Sequence, residues 1–108
     1  DKSDKIVVDN LPEGTEISSP LTISGKARGT WYFEASFPIA LEDATGQEIA
    51  VAVAQAQGEW MTEDFVPFTT TLTFASTTHG QGTLVLKKDN PSGLPANDDE
   101  LRIPVVIK

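Results

Sequence analysis

From Trp31 to Glu42 the chain keeps a period of two. Trp31, Phe33, Ala35, Phe37, Ile39 and Leu41 alternate with Tyr32, Glu34, Ser36, Pro38, Ala40 and Glu42. Successive side chains of an extended strand point to opposite faces, so this pattern predicts a strand with one face buried. Leu21, Ile23, Gly25 and Ala27 alternate in the same way with Thr22, Ser24, Lys26 and Arg28. Further extended segments are expected at Ile6 to Val8, Glu48 to Ala54, Phe68 to Phe74, Thr83 to Lys88 and Leu101 to Ile107. The alanine-rich Glu48 to Ala54 stretch also has helix propensity, but the spacing of Ile49, Val51 and Val53 favours a strand.

Turn chemistry separates these runs. Asp9 to Gly14 carries Asp, Asn, Pro and Gly, while Asp43, Ala44, Thr45 and Gly46 form a short hairpin signal. Pro38 and Pro104 cannot donate a ladder hydrogen bond, which suggests a bulge or a sheet edge at Pro38 and an edge at Pro104. Seven short strands with no amphipathic helix point to an all-β fold, an immunoglobulin-like antiparallel sandwich, with a small barrel as the other closure.

The length of 108 residues suits a single domain, and 39% hydrophobic residues suit a packed core. A net charge of -8 repels phosphate backbones and anionic lipid, so nucleic acid is not an expected partner. Runs of apolar residues fall well short of the ~20 a spanning helix needs, so no membrane insertion is expected. With no cysteine, disulfides, zinc-thiolate sites and thiol catalysis are excluded together. Starting at Asp1 without Met or a signal-like leader, the chain reads as an excised piece of a larger protein.

Several phrases in order carry a resemblance: Ser19-Pro20-Leu21, Ser24-Gly25-Lys26-Ala27, and Gly29-Thr30-Trp31-Tyr32-Phe33-Glu34-Ala35-Ser36-Phe37-Pro38. They continue with Gly58-Glu59-Trp60-Met61, Phe65-Val66-Pro67-Phe68, Gly82-Thr83-Leu84, Asp89-Asn90-Pro91-Ser92-Gly93-Leu94-Pro95 and Ile103-Pro104-Val105. Across Ile6 to Lys108 the chain resembles the immunoglobulin-like domain of bacterial spore-germination proteins. The resemblance implies a sandwich at or near the C-terminal end of secreted or lipid-anchored envelope proteins, often beside a germination or sporulation domain. It also implies an extracytoplasmic address, no cofactor and no catalytic residues. Such domains also resemble modules of bacteria that make no spores, so a germination role does not follow.

Aromatic residues are the first candidates for a binding site. Trp31 falls on the inward register, and Trp60 is expected to plug one end of the sandwich beside Phe65 and Phe68. Tyr32, on the outward register, is the surface candidate, with Glu34 beside it. Trp60 and Tyr32 could instead stack on sugar rings of peptidoglycan or another cell-wall glycan, against the main expectation of a neighbouring domain or envelope protein as partner.

The loop from Asp89 to Pro95, with Asp89, Asn90 and Ser92, reads as a stiffened turn that could also protrude as an interaction surface. Asp98, Asp99 and Glu100, with Asp89, invite a calcium reading. Counted from Asp89 to Glu100 the length is that of an EF-hand loop, but Pro91, Gly93 and Leu94 stand where ligands and the required glycine should be, so no metal site is expected. His79 sits in a turn and Ser76 has no elbow motif, which argues against a triad. Glu34, Glu42, Asp43, Glu59, Glu63 and Asp64 supply acidic surface rather than a defined catalytic pair.

Overall fold

The computed structural model describes residues 2–32, 35–75, 79–88 and 99–108. Eight strands follow in chain order: β1 (Ile6–Val8), β2 (Thr15–Ile17), β3 (Leu21–Arg28), β4 (Ser36–Glu42), β5 (Glu48–Ala56), β6 (Phe65–Leu72), β7 (Gly80–Lys87) and β8 (Glu100–Ile107). They hydrogen-bond in the order β1-β3-β6-β5-β4-β7-β8-β2. The all-β immunoglobulin-like reading stands, with one strand more than the seven expected.

The ladder is continuous, yet it folds into two facing layers. β5 pairs with β4 along nearly its whole length, but with β6 only through Gln55 opposite Thr69 and Ala56 opposite Phe68. At that narrow joint the sheet turns over. Phe37 of β4 then meets Phe68 of β6 edge to face, with ring centroids 5.0 Å apart. Ile23 and Leu72 from one layer and Ile39, Leu41, Leu84 and Leu86 from the other are all fully buried in the same cluster. These are the alternate positions of each strand, as the period of two requires.

The opening segment serves both layers. β1 lies antiparallel on β3, whereas β2 lies parallel on β8, opposite Val105, Val106 and Ile107. Gly14 turns the chain between them with φ 81° and donates its N–H to the Pro104 carbonyl at 2.8 Å. Three residues rich in polar atoms gave no periodic signal, which is why β2 escapes a reading by alternation. β8 is therefore covered by β2, and Pro104 marks the point just before that pairing begins rather than an edge strand. Pro38 behaves similarly: β4 lies between β5 and β7, and its pairing with β7 starts only at Ile39.

The largest correction concerns the Trp31 to Glu42 run. Only Ser36–Glu42 is strand, and Gly29–Trp31 forms a turn of 3-10 helix. Ala35, at φ 67°, sits in the left-handed region and breaks the alternation, after which Phe37, Ile39 and Leu41 resume it facing the core. The 3-10 turn places Trp31 and Tyr32 in the interior together, so Tyr32 is not an outward residue. β6 likewise starts earlier than the irregular Gln57 to Pro67 connection allowed, at Phe65.

Candidate functional site

An open depression of about 600 Å³ lies where the β5–β6 connection rests on the 3-10 turn. Gly29, Thr30, Tyr32, Trp60, Met61, Thr62 and Glu63 line it. Gly29 is the fulcrum, because a Cβ there would lie 1.9 Å from the Thr62 carbonyl oxygen and 2.3 Å from that of Trp60. No other residue allows two backbones to approach so closely.

Hydrogen bonds hold the connection in this shape. The Gly29 N–H donates to the Asp64 carbonyl at 3.1 Å, and the Thr62 N–H to the Trp60 carbonyl at 2.8 Å. Arg28 extends from the end of β3, donating through Nε to the Asp4 carbonyl at 3.0 Å and through Nη1 to the Glu63 carbonyl at 3.3 Å. Its guanidinium stacks 4.0 Å from the Phe65 ring centroid, a cation–π contact that ties the same strand end to the far side of the loop.

Tyr32 forms the floor. Its ring is 4% exposed, packs edge to face on Phe37 at 5.3 Å, and its hydroxyl donates to the Val66 carbonyl at 2.7 Å. Burial pushes its pKa up to about 12, so the phenol stays neutral at any physiological pH. Trp31 is buried beside it, and its indole N–H has no hydrogen-bond partner among the described residues. Trp60 is half-buried against the core, whereas Met61 is 76% exposed.

Of the sequence candidates, Tyr32 and Trp60 therefore come together in one depression, although Tyr32 contributes as a buried floor. Glu34, Asp89, Asn90 and Ser92 lie outside the described residues, as do Asp98 and Ser76. Glu63, expected only as acidic surface, joins them, and so do Thr30, Met61 and Thr62, for which the only signal in the sequence is a methionine within a polar connection, next to a tryptophan.

Elsewhere several charged groups pair with one another. Asp99 contacts Lys2 at 2.6 Å and Lys5 at 3.4 Å, closing the N-terminal segment onto the start of β8. Burial opposes its ionisation, but the Lys2 contact, the Glu100 N–H and Lys5 together hold its pKa below the usual carboxylate value. Asp43 caps its hairpin, accepting from the Thr45 hydroxyl at 2.6 Å and the Gln47 N–H at 3.0 Å; these bonds, the Thr45 hydroxyl first, lower its pKa. His79 is exposed, and among the described residues no acidic, histidine or cysteine group of metal-binding size occurs.

A family model described as the immunoglobulin-like domain of bacterial spore germination matches residues 5–94. The chain belongs to this family. The match runs from the residue before β1 through β7 and includes the Gly29 turn and the whole Trp60–Met61 connection, so the depression is part of the germination-type immunoglobulin-like domain itself. β8 lies beyond the match, yet pairs with all of β7 from Gly80 to Lys87. No curated protein and no solved structure matches the chain.

Proposed function

We propose that this immunoglobulin-like domain is a non-catalytic, extracytoplasmic module of a bacterial envelope or secreted protein, and that it engages a neighbouring domain or envelope protein through the Trp60–Met61 depression. One observation carries this reading: Met61 stands 76% exposed beside Trp60 on a loop whose backbone is pinned to Gly29. A thioether is flexible and polarisable, while a tryptophan on a stiff support supplies a large contact area with little ordering cost. The chemistry of the interior supports a binding rather than a catalytic role, since the described core is apolar apart from the neutral Tyr32 phenol and the Trp31 indole, and no charged side chain is buried among the described residues. Titration calorimetry of the chain against the adjoining domain of its full-length protein tests the proposal. Saturable binding that Met61→Glu weakens by about tenfold or more is expected; an affinity unchanged by M61E refutes the use of this surface.

A glycan reading has its own supporting observation. Trp60 shares the depression with the hydroxyls of Thr30 and Thr62 and the carboxylate of Glu63, an aromatic platform bordered by polar groups. Soluble peptidoglycan fragments would then quench the tryptophan emission of the wild type and not of Trp60→Ala. Emission unaffected by saturating fragments rejects that reading.

A further inference from the structure

The outer edge of β5 is paired over only a short part of its length. In the antiparallel pair with β4 the Ala56 N–H donates to the Ala35 carbonyl at 2.7 Å. Alternation from that bond directs the backbone groups of Ala50, Ala52 and Ala54 toward β4, and those of Ile49, Val51 and Val53 away from it. The same parity is seen on the other side, where the Gln57 N–H reaches the Pro67 carbonyl at 2.8 Å. Beyond Gln55 and Ala56, however, β6 diverges to join β3. Among the described residues no strand pairs with the outer edge of β5 from Glu48 to Ala54; the Thr70 hydroxyl alone reaches it, donating to the Val53 carbonyl at 2.9 Å.

This edge lacks the usual protection. Exposed edges are ordinarily short, charged or interrupted by proline. β1 and β2 conform, with three residues each and Lys5, Asp9, Glu13 and Glu16 in or beside them. From Ile49 to Gln57, by contrast, the chain carries no charge and no proline, and Val51 and Val53 are 53% and 50% exposed.

We propose that the β5 edge pairs antiparallel with β5 of a second copy of this chain, about a two-fold axis at Val51. The sequence is self-complementary in that register: Val51 meets its own copy, Ile49 meets Val53, and Ala50 meets Ala52. β-Branched residues face β-branched residues and alanine faces alanine. Val51 and Ile49 present outward N–H and C=O groups and Val53 an outward N–H, its carbonyl already accepting from the Thr70 hydroxyl, so the register forms on the order of four backbone hydrogen bonds without calling on that carbonyl. Glu48 falls opposite Ala54 rather than opposite its own copy, and it is already paired with Lys87 at 3.5 Å. Pairing about Ala52 would place inward-directed backbone groups on the axis and forms no such ladder. Two curled sheets thus become one across the axis, burying the exposed valines.

Sedimentation equilibrium tests the proposal. The wild type shows a reversible monomer–dimer equilibrium that strengthens with added salt, because each copy carries a net charge of -8. Val51→Pro removes an outward N–H without touching the β4 ladder, so it keeps the wild-type circular dichroism and weakens dimerisation by about a hundredfold or more. Val51→Lys, which sets two ammonium groups against each other on the axis, gives the same monomer if the proline variant folds poorly. Because the chain has no cysteine, Val51→Cys provides a geometric check. Hydrogen-bonded partners lie about 5.5 Å apart at Cα, within disulfide range, so this variant oxidises to a covalent dimer while Glu16→Cys on the β2 edge does not. A wild type that stays monomeric at about millimolar concentration, far above the Kd of a specific dimer, overturns the proposal. So does a dimer that survives both V51P and V51K. Met61→Glu leaves self-association unchanged, so this inference and the binding role of the depression stand or fall separately.

Discussion

The buried phenol of Tyr32 makes the stability of the domain fall in alkali by a calculable amount. Its pKa rises on folding from 10.0 to about 12 because burial disfavours the phenolate. The unfolded chain therefore loses this proton first, and stability that is intact below the unfolded value is lost as pH rises through the folded one. Each pH unit in that window costs about 1.4 kcal/mol, so the full window costs about 3 kcal/mol, a large share of the 5–15 kcal/mol typical of a domain. Tyr32→Phe keeps the ring and its contact with Phe37 but deletes the bond to the Val66 carbonyl, costing about 1 kcal/mol at neutral pH. It also deletes the titration. The two stability curves should therefore cross near pH 11, above which the phenylalanine variant is the more stable. Urea denaturation from about pH 8 to pH 12 measures both curves, and the lysines cancel in the comparison. Tyr32 is the one tyrosine in the chain, so phenolate absorbance reports it alone. A phenolate that appears near the ordinary value of 10.0 in the still-folded protein, or curves that stay parallel, would refute the reasoning.

Three other perturbations address separate parts of the structure. Gly29→Ala drives a methyl into the Thr62 and Trp60 carbonyls, both backbone, and should destabilise the domain by about 3 kcal/mol or more in denaturant titrations, with the environment of Trp60 altered. Ala35→Gly relieves a left-handed alanine and should leave stability unchanged or raise it by up to about 1 kcal/mol, whereas Ala54→Gly in the buried part of β5 should lower it by about 1 kcal/mol. Asp99 has a lowered folded pKa, so its contribution is present above the ordinary carboxylate value of 3.8 and is lost as pH falls through the folded value. Asp99→Asn should abolish that acid-side loss, and hydrogen exchange at Lys5 and Ile6 should then become independent of pH in this range once intrinsic exchange is corrected.

Much of the architecture is legible in alternation. β3 and the second half of the Trp31 to Glu42 run bury the positions that a period of two marks, because a strand between core and solvent must separate its faces, whereas β5 is a strand as expected but turns Val51 and Val53 outward and Ala54 inward. The hairpin at Asp43 to Gly46 was equally legible, since short turns draw on few residue types. Alternation fails at Trp31 and Tyr32, where a turn of 3-10 helix and a left-handed Ala35 send neighbouring side chains into one interior. Large aromatics satisfy either geometry locally, so the choice rests on what surrounds them.

What the sequence alone determined is which segments are extended, which side of most strands is apolar, and that cysteine chemistry is absent. Only the folded chain decided where those strands meet. It brought Trp60 and Met61 onto the Gly29 turn, sank Tyr32 beneath them, split the opening segment between two layers, and let β6 leave β5 so that no described strand pairs with its edge at Val51. The reason is physical: periodicity records each residue's relation to the nearest core, whereas depressions and open edges arise between segments far apart in the chain, from close backbone approaches and pairings that no local pattern encodes.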